Sequence, residues 1–108
     1  MLRASRLISV ANMTVYPEDG MRFVLEYSLR HTTGPEGENF FALKVDKSHP
    51  NGFLIESEDA PLCTGSLDQA LLLAERFAAG AVMPCVLQEM VDEWQWQHDM
   101  VASVAEAV

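Results

Sequence analysis

The chain has 108 residues, 49% apolar and 21% charged, with a formal net charge of −9 from 16 acidic and 7 basic residues. That is the size of one ordinary domain, here residues 1–108, with enough apolar content to bury a core unaided by metal or disulfide staples. The seven cations, Arg3, Arg6, Arg22, Arg30, Lys44, Lys47 and Arg76, are scattered, which argues against nucleic acid or an anionic membrane as partner.

Residues 5–15 predict a first strand in mixed phase. Leu7, Met13 and Val15 share one parity and Ile8 and Val10 the other, which implies a bulge or a strand covered on both faces. Pro17-Glu18-Asp19-Gly20 closes this N-terminal segment (1–20) with a turn. Residues 21–31 alternate cleanly: Phe23, Leu25, Tyr27 and Leu29 against Arg22, Glu26, Ser28 and Arg30. After the loop Thr32–Glu38, residues 39–47 alternate again, with Phe41, Leu43 and Val45 facing in, so the two strands form an antiparallel hairpin. Asn51-Gly52 signals another hairpin turn, Phe53–Glu58 a further strand, and Pro61 its end.

Residues 64–108 read as two helices. The first covers 66–79, with Ser66 and Gln69 spaced as a capping box and Asp68 in the first turn. Leu67, Leu71, Ala74, Phe77 and Ala78 form its apolar stripe, and Gly80 stands where a left-handed terminal residue is wanted. Pro84 opens the second helix, whose stripe is Leu87, Met90, Val91 and Trp94, with Glu89, Asp92 and Glu93 facing away. The stripe can be continued through Val101, Val104 and Val108.

The predicted architecture is α+β: a three- to four-stranded antiparallel meander covered on one face by two C-terminal helices. Leu71, Phe77, Leu87, Val91 and Trp94 are expected to meet Phe23, Leu25, Leu29, Phe41 and Leu43.

No residue set nominates a catalytic, metal or cofactor site. Cys63 and Cys85 form no Cys-x-x-Cys and are too few for a secreted scaffold; the expectation is two small buried hydrophobes. His31, His49 and His98 lie on separate segments without metal-ligand spacing. The carboxylates Glu56, Glu58 and Asp59, and Glu89, Asp92 and Glu93, cluster on single solvated faces rather than across a cleft. No apolar run approaches the roughly 20 residues that span a bilayer, and Leu7–Ala11 is too short for a signal-peptide core, so the expectation is a cytoplasmic protein.

Trp94 and Trp96 point about 200° apart on a helix, so both cannot enter one core. Trp94 is in phase with Leu87 and Val91, which leaves Trp96 as a candidate interface anchor. Trp96, Glu89 and Glu93 are the candidate interaction surface.

Glu26-Tyr27-Ser28-Leu29, Phe41-Ala42-Leu43-Lys44-Val45, Cys63-Thr64-Gly65-Ser66-Leu67-Asp68 and the run Met83–Trp94 carry a resemblance. Over residues 21–95 the chain resembles a family of small bacterial proteins, mostly clostridial, that bears only a domain-of-unknown-function label. Phe41-Ala42 stands where that family has Tyr-Gly. The resemblance implies a short sheet followed by two helices and transfers no functional residue. The functional expectation is a non-enzymatic interaction or regulatory module, with a protein partner or self-association and no cofactor. The alternative is a small-ligand or metal-binding protein with a pocket between sheet and helices.

Overall fold

The computed structural model describes residues 5–95. Four strands, β1 (Ser5–Val15), β2 (Phe23–Thr33), β3 (Asn39–Ser48) and β4 (Leu54–Pro61), form an antiparallel meander in the spatial order β1-β2-β3-β4. Helix α1 (Leu67–Ala79) follows, then a 3₁₀ turn at Pro84–Val86 that leads into helix α2 over 87–95. Both helices cover one face of the sheet. α1 lies chiefly over β1 and β2, and the turn that opens α2 lies over β4 and β3. This is the α+β arrangement that one-sided strands require.

The covered face is set by the odd residues of the central hairpin. Leu25, Tyr27 and Leu29 stand opposite Lys47, Val45 and Leu43, and all but Lys47 are fully buried. Lys47 instead places its ammonium 4.5 Å from the centre of the Phe23 ring. The mixed parity of β1 resolves into a bulge between Ser9 and Ala11 that leaves Val10 without a register partner. Arg6 and Ile8 face the helices before the bulge, and Ala11, Met13 and Val15 do so after it. The opposite face carries the ion pairs of the sheet, with Leu7 and Phe40 exposed among them. There Lys44 pairs with Asp46 at 2.6 Å, Ser57 donates to the same carboxylate, and Arg30 pairs with Asp59 at 3.3 Å. Exposed pairs of this kind contribute about 0–1 kcal/mol each, so they keep the face wetted more than they hold the fold.

Two of the three hairpin connections use one solution. In Gly34-Pro35-Glu36-Gly37-Glu38 and in His49-Pro50-Asn51-Gly52-Phe53 the first N–H donates to the fifth carbonyl, and the glycine N–H donates to the first carbonyl. Proline presets φ at the first turn position, and Gly37 (φ 83°) and Gly52 (φ 93°) take the left-handed position that closes the loop.

β4 extends beyond its predicted end. It runs past Glu58 to Pro61, which stands opposite Ala42 at the sheet edge, and Ala60 is fully buried against Leu43. An edge strand needs no N–H on its outer side and so admits proline and a run of carboxylates.

α1 is capped as Ser66 predicts, its hydroxyl accepting from the Gln69 N–H at 3.4 Å. The reciprocal half of the box differs from expectation. The Gln69 side chain accepts from the Thr64 hydroxyl at 2.7 Å, and that hydroxyl accepts from the Ser66 N–H at 3.0 Å, so Thr64 relays the second bond. The buried stripe is also turned: Ala70, Leu73, Ala74, Phe77 and Ala78 are buried, Leu71 is half-buried and Leu67 is exposed. At the other end, Gly80 has an ordinary φ of −89° and the left-handed residue is Ala81, at φ 51°. The Ala81 N–H donates to Ala78 and the Val82 N–H to Phe77, which places the Schellman turn one residue later than the glycine suggested.

An alanine in the left-handed region costs about 1–2 kcal/mol relative to glycine. Ala81→Gly is therefore expected to stabilise the protein by roughly 0.5–1 kcal/mol in a denaturant titration, part of the strain being offset by added unfolded-state entropy. Gly80→Ala is expected to stabilise as well, because its new Cβ would meet only Arg76 O at 3.6 Å and Phe77 O at 3.9 Å.

Tyr27 joins the two layers. Its ring is fully buried and its hydroxyl donates to the Val82 carbonyl at 2.8 Å, in the link between the helices. Tyr27→Phe is expected to cost about 1–2 kcal/mol at neutral pH, since the carbonyl loses its donor. Burial also pushes the hydroxyl from 10.0 up to about 12. A folded value above the unfolded one means that this contribution is complete below pH 10 and is lost as pH rises toward 12, on the order of 2–3 kcal/mol in all. Denaturation curves across that window should show the loss in the wild type and a flatter profile in Tyr27→Phe.

Candidate functional site

Helix α2 presents two adjacent rows. Val86, Met90 and Trp94 recur at four-residue spacing on one, and Glu89 and Glu93 on the next. The inner positions of the helix, Leu87 and Val91, are fully buried against the sheet, which fixes which rows remain outside. Val86 and Met90 are each 39% exposed and Trp94 is half-buried. Between α1 and α2, Phe77, Met90, Glu93 and Trp94 line an open groove of about 220 Å³.

The carboxylate side of the groove is available to a partner. Glu89 and Glu93 are exposed, whereas Asp92 on the same helix accepts from Gln88 at 2.9 Å, an i, i+4 contact. The far end of α2 is fastened by Gln95, whose side-chain oxygen accepts from the Cys63 N–H at 2.6 Å. Of the sequence-nominated residues, the structure places Glu93 in the groove wall and Glu89 one turn earlier beside it. Trp96 lies outside the described residues, as do His98 and the valines Val101, Val104 and Val108. Helical spacing assigns Phe77 and Met90 each to a core stripe and gives no sign that they face one another. Only the packing of the two helices shows that Met90 lies at the rim.

Both cysteines are exposed, against the expectation of buried thiols. Cys63 follows the last sheet residue, and Cys85 sits on the outer side of a turn whose buried member is Pro84. Both are free thiols.

His31, on the covered face, is engaged on both ring nitrogens. His31 stacks on Phe41 with ring centroids 4.9 Å apart. Its Nδ1 accepts from Arg6 Nε at 3.3 Å, so the proton lies on Nε2, which donates to Asn39 Oδ1 at 2.8 Å. His49 is in the exposed β3–β4 turn. Glu56 Oε2 is buried without a hydrogen-bond partner, its register neighbour Lys47 being turned onto Phe23. Among the described residues no three His, Cys, Asp or Glu side chains gather to hold a metal, and no helix is long and apolar enough to cross a membrane.

Comparison with protein-family models, curated proteins and solved structures returned no match.

Both thiols should react with a chromogenic disulfide reagent in the folded protein without denaturant, two equivalents per chain.

Proposed function

We propose that this protein is a non-enzymatic interaction module whose α2 surface receives a protein segment carrying an apolar anchor flanked by basic side chains. The observation that carries this reading is the groove itself: an apolar row, Val86–Met90–Trp94, runs beside an acidic row, Glu89–Glu93, on a helix held to the rest of the fold by buried Leu87 and Val91 and by the Gln95 bond to Cys63. An apolar side chain entering between Phe77, Met90 and Trp94 would lose water on the sides that face them. Lysine or arginine flanking it would meet Glu89 and Glu93. Apolar anchor and charged rim are the usual division of labour at a recognition surface, the first supplying affinity and the second orientation and encounter rate. The net charge of −9 favours the same class of basic partner at longer range.

The test is affinity capture from host lysate with wild type, Met90→Asp and the double variant Glu89→Lys/Glu93→Lys, with Trp96→Ala alongside and folding checked by circular dichroism. The expected result is a partner held by wild type and reduced at least tenfold by either α2 variant. A partner retained by all variants would move the interface off α2. No specific partner from any lysate would overturn the module reading.

A further inference from the structure

The apolar stripe of α1 is wider than the sheet covers. Leu67 is 39% exposed and Leu71 half-buried, although Ala74 and Ala78 beside them are buried. Helical residues step by about 100°, so Leu67, Leu71, Ala74 and Ala78 share one flank and Leu73 and Phe77 the other. Phe77 looks into the groove with α2, and α2 enters over β4 and β3. The uncovered flank therefore overhangs β1.

β1 is an open edge, since among the described residues nothing pairs with its outer side. The two edges of the sheet differ in chemistry. β4 carries Glu56, Glu58 and Asp59 and ends on Pro61, the residue types that keep an edge from pairing. β1 has no carboxylate, lysine or proline, and its one charged side chain, Arg6, is bonded to His31. β2 and β3 contribute Glu26 and Asp46, so β1 alone among the strands lacks a carboxylate. For a chain of net charge −9, two copies repel least where they approach along β1. The bulge at Val10 divides this edge. The part before it holds Leu7, 53% exposed, and lies at the end of the sheet where α1 begins, Gly65 being packed on Asn39.

From these features we infer that a second copy of this chain docks on β1, antiparallel, about a two-fold axis normal to the sheet and beside Leu7. Leu7 then meets Leu7 of the partner subunit on the open face, and Arg6 and Ile8 exchange places across the axis on the covered face. Such an axis keeps both helix layers on one side. With strands about 4.8 Å apart, the two α1 helices come to lie roughly 10–14 Å apart, a gap that Leu67 and Leu71 from both copies fill. Two four-stranded sheets become one of eight, through a self-complementary patch of the kind that two-fold dimers use. The α2 groove takes no part, so this interface and the proposed partner site succeed or fail separately.

Sedimentation equilibrium over a concentration series tests it. Wild type is expected to reach twice the 12.0 kDa chain mass. Leu7→Lys, which sets a charge beside the axis, and Leu71→Gln should each lower the association constant at least tenfold. Ile55→Lys on β4, where Ile55 is 41% exposed, should leave it unchanged. Hydrogen exchange on unmodified protein gives an independent reading, with amides of residues 5–9 slowing as concentration rises. A 12.0 kDa mass at every concentration, a dimer that survives Leu7→Lys, or protection gained at 54–61 instead would each overturn the inference.

Discussion

The reversal between the two helices is fixed to the sheet by one directional interaction, the hydrogen bond from Tyr27 to the Val82 carbonyl. Val82 is held at both of its polar groups, because its N–H closes the turn at the end of α1 by donating to Phe77. A single residue thus sets where α1 stops, how the chain reverses, and where Pro84 starts the descent into α2. The apolar layers could slide against one another at modest cost, but a directional bond from a fully buried ring admits one arrangement. The groove between α1 and α2 takes its width from that arrangement.

Much of the fold was legible in the sequence where local and long-range demands agree. The alternation of Phe23–Leu29 and of Phe41–Val45 describes a strand with one buried face, and the conflicting parities of Leu7, Ile8, Val10, Met13 and Val15 identify a bulged strand. Ser66 marks the start of α1 because a cap is a local event. What escaped the sequence depends on the neighbour present in three dimensions. Leu67 and Leu71 fit a helical stripe, yet the sheet beneath is too narrow on that side to cover them. Gly80 looked like the left-handed residue, but the position that satisfies both Val82 bonds falls on Ala81. The acidic stretch of β4 read as a strand's end, because pattern alone does not distinguish an edge strand from a loop. The candidate site was half legible: Glu89 and Glu93 follow from helical phase, whereas the pairing of Phe77 with Met90 across two helices leaves no mark in spacing.

The polar chemistry of the described residues is largely spent on architecture. His31 is fixed between Arg6 and Asn39, Thr64 serves the α1 cap, Asp46 gathers Lys44 and Ser57, and Arg30 is matched by Asp59. Val86, Met90, Glu89 and Glu93 on α2, and Leu67 and Leu71 on the flank of α1, remain at the surface. A surface of that composition suits recognition by contact area and charge. Bond-making chemistry would ask for titratable groups converging in unlike environments.

The nearest-neighbour order of the meander also bears on how fast the protein forms. Every strand pairs with the strand next to it in sequence, so the sheet can zip from three short loop closures, each entropically inexpensive. The contacts of large sequence separation are those that dock the helices, typified by Tyr27 and Val82, 55 residues apart. The hairpins thus close over short loops, whereas docking α1 and the turn after it closes a far longer one.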